Sequence, residues 1–212
     1  MRIDPAGWPF VFLTTVIVVV AWVLAGPWMA APLLLLPAFM LFFFRDPERT
    51  IAAVAGEVLS PADGRVLYTG PGTGRYATGG WQQVSIFLSP MNVHVNRLPI
   101  GGRVTRVTFH PGRFLPAYKP EAGELNEYSE VTIDHHGQTV VARQVVGLLA
   151  RRVVCRVEEG AVVATGDRFG VMKFGSRMDV FLPTTATILV SVDERVVAGV
   201  TRLATLAPGT RT

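Results

Sequence analysis

The sequence predicts a mostly β protein: a single sandwich- or barrel-like domain, similar to small carrier domains, behind an N-terminal hairpin of two transmembrane helices. The hairpin is predicted because no charged residue occurs from Pro5 to Phe44. The β domain is predicted because short segments of alternating apolar and polar residues follow, separated by Gly, Pro or Asn. We therefore place a membrane anchor at residues 1–45 and one domain, large enough for its own core, at residues 46–212.

The apolar N-terminal stretch divides into two runs, Trp8–Ala25 and Trp28–Phe44, which Gly26-Pro27 separates. Each run is near the lower limit of the roughly 17–25 residues that cross a bilayer core as a helix. Because proline breaks or kinks a helix, Gly26-Pro27 predicts the turn of a hairpin and Pro37 predicts a kink in the second helix. A single re-entrant unit is the alternative. A cleaved signal peptide is disfavoured because a second apolar run follows the first at once.

The charges around the hairpin predict its orientation. Arg2 precedes the first run, and Arg45 and Arg49 follow the second. Arginines favour the cytoplasmic side, and a hairpin places both of its ends on one side. The lone cysteine, Cys155, fits a reducing compartment. We therefore expect the protein in the cell membrane, with its β domain on the cytoplasmic side.

The net charge of +4 also favours a membrane surface. Anionic lipid attracts a basic domain by roughly 1 kcal/mol for each basic residue close to the surface. Nucleic acid is the other usual partner of a basic protein. The sequence contains no recognised nucleic-acid-binding motif, so we expect no nucleic-acid partner.

Six segments are strand candidates, and apolar and polar residues alternate in several of them, which is typical of strands. They are Trp81–Leu88, Arg103–Phe109, Glu130–Asp134, Gln138–Ala142, Val180–Leu182 and Thr187–Val192. The segment Val145–Val153 fits either a short helix or a strand. Glu158–Gly170 has the turn–strand–turn pattern of small carrier domains. The Gly-rich segment Gly70–Gly80 lacks the Lys-Ser/Thr that follows in a phosphate-binding loop.

The pair Gly175-Ser176, in a Val-rich, strand-like region, is a candidate for self-cleavage. Glycine has no Cβ, so its peptide can be held in a strained geometry with an accessible carbonyl. The serine hydroxyl can attack that carbonyl and convert the amide to an ester. Elimination then cuts the chain and, after loss of ammonia, leaves a pyruvoyl group at position 176. Most Gly-Ser pairs are turns, so the hypothesis depends on the rest of the sequence.

Other residues are candidates for chemistry, and each also has a structural interpretation. Asp63, in a Pro-Ala-Asp-Gly sequence, is either a turn residue or a carboxylate fixed at a strand edge. His94 is either a buried structural histidine or a proton-transfer group, because imidazole titrates near neutral pH. His110 and Asn126 are more typical of a turn and a loop. His135-His136 predicts a hairpin tip, and we expect no metal there because no acidic or cysteine partner has ligand spacing.

Five segments resemble, in order, the motifs of the phosphatidylserine decarboxylase family in its short form, which begins with a brief membrane hairpin. They are Pro61-Ala62-Asp63-Gly64, Leu88-Ser89-Pro90-Met91-Asn92-Val93-His94, His110-Pro111-Gly112, Asn126-Glu127 and Phe174-Gly175-Ser176. The likeness extends from about Arg45 to Leu203. No single segment is diagnostic, but five in this order behind a membrane anchor are highly specific.

The resemblance implies a self-processing enzyme. The chain would be cut between Gly175 and Ser176 into fragments 1–175 and 176–212, and Ser176 would become the pyruvoyl group. Asp63 matches the family's aspartate linked to self-cleavage. His94 matches the first of two family histidines near the pyruvoyl group.

One position departs from the family pattern. Long-form enzymes have a second histidine three positions after the first, which is said to pair with the aspartate and the serine; this chain has Arg97 there. Either His94 then serves as the base in both stages, or Asp63 acts with less help. Arg97 is instead a candidate for binding the lipid phosphate or carboxylate. His110 and Asn126 are the other expected substrate-binding residues.

The implied reaction converts membrane phosphatidylserine to phosphatidylethanolamine and CO2 through a Schiff base on the pyruvoyl ketone, which acts as the electron sink. His94 is expected to protonate the carbanion. The resemblance implies no metal or external cofactor. The expected partners are the lipid and the two fragments of the chain, with a homodimer as an optional arrangement. The alternatives are a non-catalytic membrane-tethered domain that binds lipid or a partner, and a decarboxylase of an archaeal-type serine lipid.

Overall fold

The computed structural model describes residues 2–148, 153–173 and 176–207. The chain divides into two compact units, Met1–Glu48 and Arg49–Thr212. Helices dominate the first unit and strands the second.

The N-terminal unit is a helical hairpin whose two ends meet. Its elements are β1 (Arg2–Ile3), α1 (Trp8–Ala25), α2 (Pro27–Ala30), a 3-10 segment (Ala31–Leu34), α3 (Leu35–Phe43) and β2 (Arg45–Asp46). The chain reverses at Gly26, whose φ of 82° favours glycine, and Pro27 starts the returning segment. Strands β1 and β2 pair in antiparallel fashion, and Asp4 N donates to Phe44 O at 2.9 Å.

One helical segment of this unit is long and apolar enough to cross a membrane. It covers Pro5–Ala25, 21 residues with a mean hydropathy of 2.3, whereas the returning segment Pro27–Phe43 is apolar but shorter. Pro37, where a kink was predicted, lies in the first turn of α3, and the stretch before it, Ala31–Leu34 around Pro32, is a 3-10 segment.

The described part of the second unit consists of short strands, one α-helical turn and one 3-10 turn, Gly74–Tyr76. Its elements are β3 (Glu57–Leu59), β4 (Gly64–Pro71), β5 (Trp81–Leu88), β6 (Val95–Arg97), β7 (Gly102–His110), α4 (Ala122–Leu125), β8 (Tyr128–His135), β9 (Gln138–Val145), β10 (Val153–Cys155), β11 (Val162–Val163), β12 (Arg168–Met172), β13 (Ser176–Pro183), β14 (Thr187–Ile188), β15 (Arg195–Val196) and β16 (Arg202–Thr205).

A curled eight-stranded sheet organises this unit, with the order β11-β7-β8-β9-β13-β5-β4-β15 and antiparallel pairing throughout. Two three-stranded sheets, β10-β12-β6 and β14-β16-β3, accompany it. Alternate residues along the central strands share one face of the sheet, and on that face Val84, Ile86, Met178, Val180 and Ala142 are fully buried in the core.

The opposite face of the sheet carries a row of four buried polar residues on adjacent strands. In order across the sheet they are Ser85, Asp179, Arg143 and Glu130, and each is the register partner of the next. We call these four the polar row; each is at most 1% exposed. Arg143 Nε donates to Glu130 at 2.6 Å. Its Nη1 donates to Gly123 O and to Glu124 in the α4 turn, both at 2.7 Å. The segment that contains α4 therefore covers charges that alternation alone would place in water.

The fold class predicted from the sequence is confirmed. The strand at Trp81–Leu88 has the predicted bounds. The next three predicted strands correspond to β7, β8 and β9, and each extends beyond its predicted range by one to three residues at one or both ends. The predicted strand Thr187–Val192 is too long, because only Thr187–Ile188 pairs. No helix occurs in the described part of Val145–Val153: its two ends, Val145 and Val153, are in strands, and residues 149–152 lie outside the described ranges.

Replacing Arg143 should strongly destabilise the β domain. Arg143→Met removes the fully buried cation from Glu130, whose remaining ion-pair partner is the partly exposed Arg75, and breaking a buried ion pair costs about 3–5 kcal/mol. At about 2–4 °C per kcal/mol for a domain of this size, the melting temperature of the full chain in detergent should fall by at least 6 °C. The added substitution Glu130→Gln should recover part of the loss. An unchanged melting temperature in Arg143→Met would contradict the role given to this pair.

Candidate active site

Ser176 is the first residue of β13 and is fully buried. It stands opposite Leu88 at the end of β5, and by alternation it shares the core face with Met178 and Val180. Its Oγ makes no hydrogen bond within the described part of the chain. A buried hydroxyl without a partner costs about 1–3 kcal/mol, so its presence in a core strand needs an explanation beyond stability. Gly175, the other half of the predicted cleavage site, lies outside the described residues.

His94 is also fully buried, and its ring orientation is fixed by the loop before it. The ring Nδ1 lies 3.0 Å from Asn92 O. A carbonyl can only accept, so Nδ1 carries a hydrogen and donates, and in the neutral ring Nε2 keeps the lone pair. The loop is held in turn by the Asn92 carboxamide oxygen, which accepts from Ser89 N at 2.9 Å and from Ser89 Oγ at 2.8 Å. This tautomer suits a group that takes up a proton at Nε2.

The strand connections bring the segments of His94 and Ser176 together. Met172 N, at the end of β12, donates to His94 O at 3.2 Å, and Ser176 follows four residues later. On the other side, β5 ends at Leu88 opposite Ser176 and continues into the loop that leads to His94. The backbone of His94 therefore lies beside Met172, four residues before Ser176.

Asp63 belongs to a different group of residues. Arg49 Nη1 and Nη2 donate to its two carboxylate oxygens at 2.6 and 2.8 Å, and Ala198 N donates to Oδ1 at 2.8 Å. The two side chains of this ion pair are only 9% and 15% exposed. From the sequence, Arg49 was predicted only to orient the hairpin, because nothing local in the sequence links it to a carboxylate 14 residues away. The hydrogen bonds of Asp63 in the described structure go to Arg49 and Ala198, not to His94 or Ser176.

Arg97 lies with the Asp63 group. It is 5% exposed, and its Nη1 donates to Gly166 O at 2.9 Å. With Arg49 and Arg168 it lines a cavity of about 440 Å³. In this chain, the position of the family's second histidine therefore holds a buried cation beside the arginine that binds Asp63.

His110 and Asn126 lie at the two ends of the segment that covers the polar row. The Asn126 carboxamide accepts from Leu115 N at 2.8 Å and donates to Leu115 O and Val146 O at 2.8 and 2.9 Å. These bonds use its oxygen and both N–H groups, so the side chain braces the covering segment. A Cβ at Gly112 would collide with the backbone of Asn126, which explains the glycine in the His-Pro-Gly motif.

The His110 ring stacks on Tyr128 at 4.5 Å and faces Arg75, with Nη1 3.4 Å from His110 Nε2. Burial lowers the pKa of His110, and the positive charges of Arg75, Arg143 and Arg106 lower it further. The neutral ring is therefore the form that this environment favours.

Acidification should destabilise the protein partly through His110. Because the folded state has the lower pKa, the unfolded chain takes up a proton first as the pH falls through about 6.5, and stability falls until the folded pKa is passed. His110→Gln should show a smaller loss of melting temperature between pH 8 and pH 5 than the wild type. His136→Asn, at an exposed hairpin tip, is the matched control. Equal losses in His110→Gln and the wild type would contradict this assignment.

Among the described residues, no group of three or more His, Cys, Asp or Glu side chains is arranged to hold a metal ion. The sequence profile of the phosphatidylserine decarboxylase family matches residues 36–204.

Three relatives are named phosphatidylserine decarboxylase proenzyme. The protein of Pelodictyon phaeoclathratiforme is 46% identical over 166 residues, 78% of each chain. That of Ralstonia nicotianae is 42% identical over 204 residues, 94% of each chain. That of Nitratidesulfovibrio vulgaris is 42% identical over 210 residues, 98% of this chain and 96% of its own. With a family match over most of its length and relatives this similar, the chain belongs to the phosphatidylserine decarboxylase family.

Proposed function

We propose that this chain is a self-processing, pyruvoyl-dependent decarboxylase that converts phosphatidylserine to phosphatidylethanolamine and CO2. The observation that carries the proposal is the buried hydroxyl of Ser176, which has no partner in the described structure and follows a glycine at the start of a core strand. The name proenzyme in three relatives supports processing of a precursor.

Self-cleavage needs only groups of the chain and water. Ser176 Oγ bonds to the carbonyl carbon of Gly175 while the peptide C–N bond breaks, which gives an ester and a free amine. Removal of the Cα proton of residue 176 then breaks its Cβ–Oγ bond and leaves a carboxylate at Gly175. Water replaces the nitrogen, ammonia leaves, and a ketone remains. A hydroxyl nucleophile needs a base within reach, and burial of Ser176 keeps competing water away.

His94 is the base that we assign to self-cleavage. Its Nδ1–H donates to Asn92 O, so its Nε2 is the proton acceptor in the neutral ring. Asp63 is engaged by Arg49 and Ala198, which favours His94 as the base in both stages. In this proposal Asp63 assists cleavage from a distance, by holding Arg49 beside Arg97.

The pyruvoyl group supplies a ketone that condenses with the amine of the substrate and takes up the electron pair released with CO2. The residues of the chain bind, orient and protonate. His94 returns a proton to the substrate carbon, and the covering segment braced by Asn126 shields the neighbouring sheet face from water. Arg97 and His110 stay proposed substrate-binding residues, and Asn126, whose carboxamide bonds to Leu115 and Val146, is proposed to act on the substrate through the segment that it braces.

The N-terminal hairpin suits a lipid substrate. We propose that residues 1–45 anchor the protein in the cell membrane, through a segment long and apolar enough to span it, and that residues 46–212 form the catalytic domain. Arg2 and Arg45 lie at the joined ends of the hairpin, which supports a cytoplasmic position for those ends.

A mass measurement of the purified, denatured protein tests the proposal. We expect two fragments, residues 1–175 and residues 176–212, the second with a blocked N-terminus. The sample should release CO2 from phosphatidylserine labelled at the serine carboxyl carbon. An intact chain without CO2 release would indicate a non-catalytic, membrane-tethered binding domain instead. Turnover of ether-linked but not ester-linked serine lipid would indicate the archaeal-type substrate.

A further inference from the structure

Two exposed arginines stand opposite each other on neighbouring strands. Arg65 on β4 and Arg195 on β15 are register partners. Like charges directly opposite on a sheet repel each other. Among the described residues, Arg65 pairs with Asp193, at 3.4 Å and with both side chains more than half exposed. Arg195 makes no side-chain hydrogen bond or ion pair within the residues that the structure describes. The pair therefore forms an exposed site of positive charge.

The two arginines line a cavity of about 480 Å³ together with Ser89, Asn92, Phe87 and Met91. Hydroxyl, carboxamide and guanidinium groups thus border the same space as an aromatic ring and a thioether. This combination fits a charged headgroup with apolar atoms attached to it.

The cavity adjoins the candidate active site through two of its lining residues. Ser89 follows Leu88, the register partner of Ser176. Asn92 O accepts from His94 Nδ1. A ligand in this cavity therefore lies next to the loop that holds the proposed proton-transfer group.

We infer that Arg65 and Arg195 bind the phosphodiester of the lipid headgroup and so set the position of the serine moiety. The inference rests on the proposed function. A phosphodiester has two non-bridging oxygens that share one negative charge, and they match the fork of a guanidinium. In phosphatidylserine the phosphorus is three bonds from the serine Cα, so a site beside the reaction centre is where it must lie.

The phosphate is a better ligand for these arginines than the substrate carboxylate. The carboxylate loses its charge as CO2 leaves, so a guanidinium on it would stabilise the starting state and slow the reaction. The phosphate keeps its charge throughout the reaction, so arginines that bind it stabilise the substrate and the transition state equally. The second cavity is less suited to this task, because its Arg49 is paired with Asp63 and its Arg97 donates to Gly166 O.

The test is a KM-against-kcat comparison of the full-length, self-cleaved protein with Arg65→Gln, Arg195→Gln and the double variant. The substrate is dihexanoyl phosphatidylserine below its micellar concentration, so that no charged surface is present. We expect normal self-cleavage, an unchanged kcat and a KM raised about tenfold in each single variant, equivalent to about 1.4 kcal/mol. The double variant should show a larger rise, and Arg65→Lys and Arg195→Lys should recover part of it.

Arg103→Gln is the matched control, because it removes one exposed strand arginine on β7 and should leave KM unchanged. An unchanged KM in the double variant, or a fall in kcat alone, would overturn the inference. So would a KM effect that occurs only with anionic vesicles, since that indicates attraction to a charged surface. Failure of the proposed function is seen separately, as a wild-type protein that is neither cut nor active.

Discussion

Ser176→Ala should leave the chain as one piece and abolish decarboxylation. Without Oγ no ester can form at Gly175, so neither the cut nor the ketone arises, and no other residue of the site can supply them. The substitution removes a hydroxyl that has no partner in the described structure, so we expect the variant to fold with equal or higher stability. Denaturing mass spectrometry and CO2 release from carboxyl-labelled phosphatidylserine give both readouts.

Ser191→Ala is the matched control, because it deletes an exposed hydroxyl elsewhere in the same fragment and should be cut and active. Ser176→Cys is informative as well, because a thiol can form the corresponding thioester. We expect it to be cut slowly. If Ser176→Ala still released CO2 at the wild-type rate, the assignment of the prosthetic group would be wrong.

The local sequence pattern predicted the strands in which apolar and polar residues alternate strongly. It failed where a strand or a buried side chain depends on partners distant in sequence. Trp81–Leu88 alternates from Gln83 to Ile86 and is rich in aromatic and β-branched residues, and its bounds were predicted as they are. Strand β4 was missed because its glycines and its final Pro71 weaken the local signal, and pairing with β5 supplies what the segment lacks. Arg143 and Asp179 lie on the face of the sheet that apolar–polar alternation predicts to be exposed to solvent. They are buried because a segment distant in sequence covers that face.

The same distinction applies to the candidate site. Ser176 and His94 could be named from short motifs because their chemistry depends on residue type and on immediate neighbours. The Arg49 partner of Asp63 and the pairing of Arg65 with Arg195 are created by the fold. An arginine on a strand has the same local appearance whether it faces bulk water or another arginine across a cavity, so only the strand order identifies the pair.

His94→Gln should reduce both self-cleavage and turnover, each by about 10²–10⁴-fold, the range that a positioned acid or base contributes. Glutamine retains an N–H that can donate to Asn92 O, so the loop should keep its shape while the proton acceptor at Nε2 is lost. A pulse–chase experiment measures the cleavage rate. The kcat of the cleaved fraction, normalised to its small fragment, then measures decarboxylation separately.

The two rates also decide between the roles that the sequence left open for His94 and Asp63. If His94 serves both stages, His94→Gln slows both, whereas Asp63→Asn mainly slows cleavage, because Asp63 binds Arg49 and Ala198 and acts from a distance. His136→Asn should leave both rates unchanged, since its side chain is at an exposed hairpin tip. Wild-type cleavage and turnover in His94→Gln would remove this residue from the mechanism, and the base would then have to be sought among the other groups around Ser176.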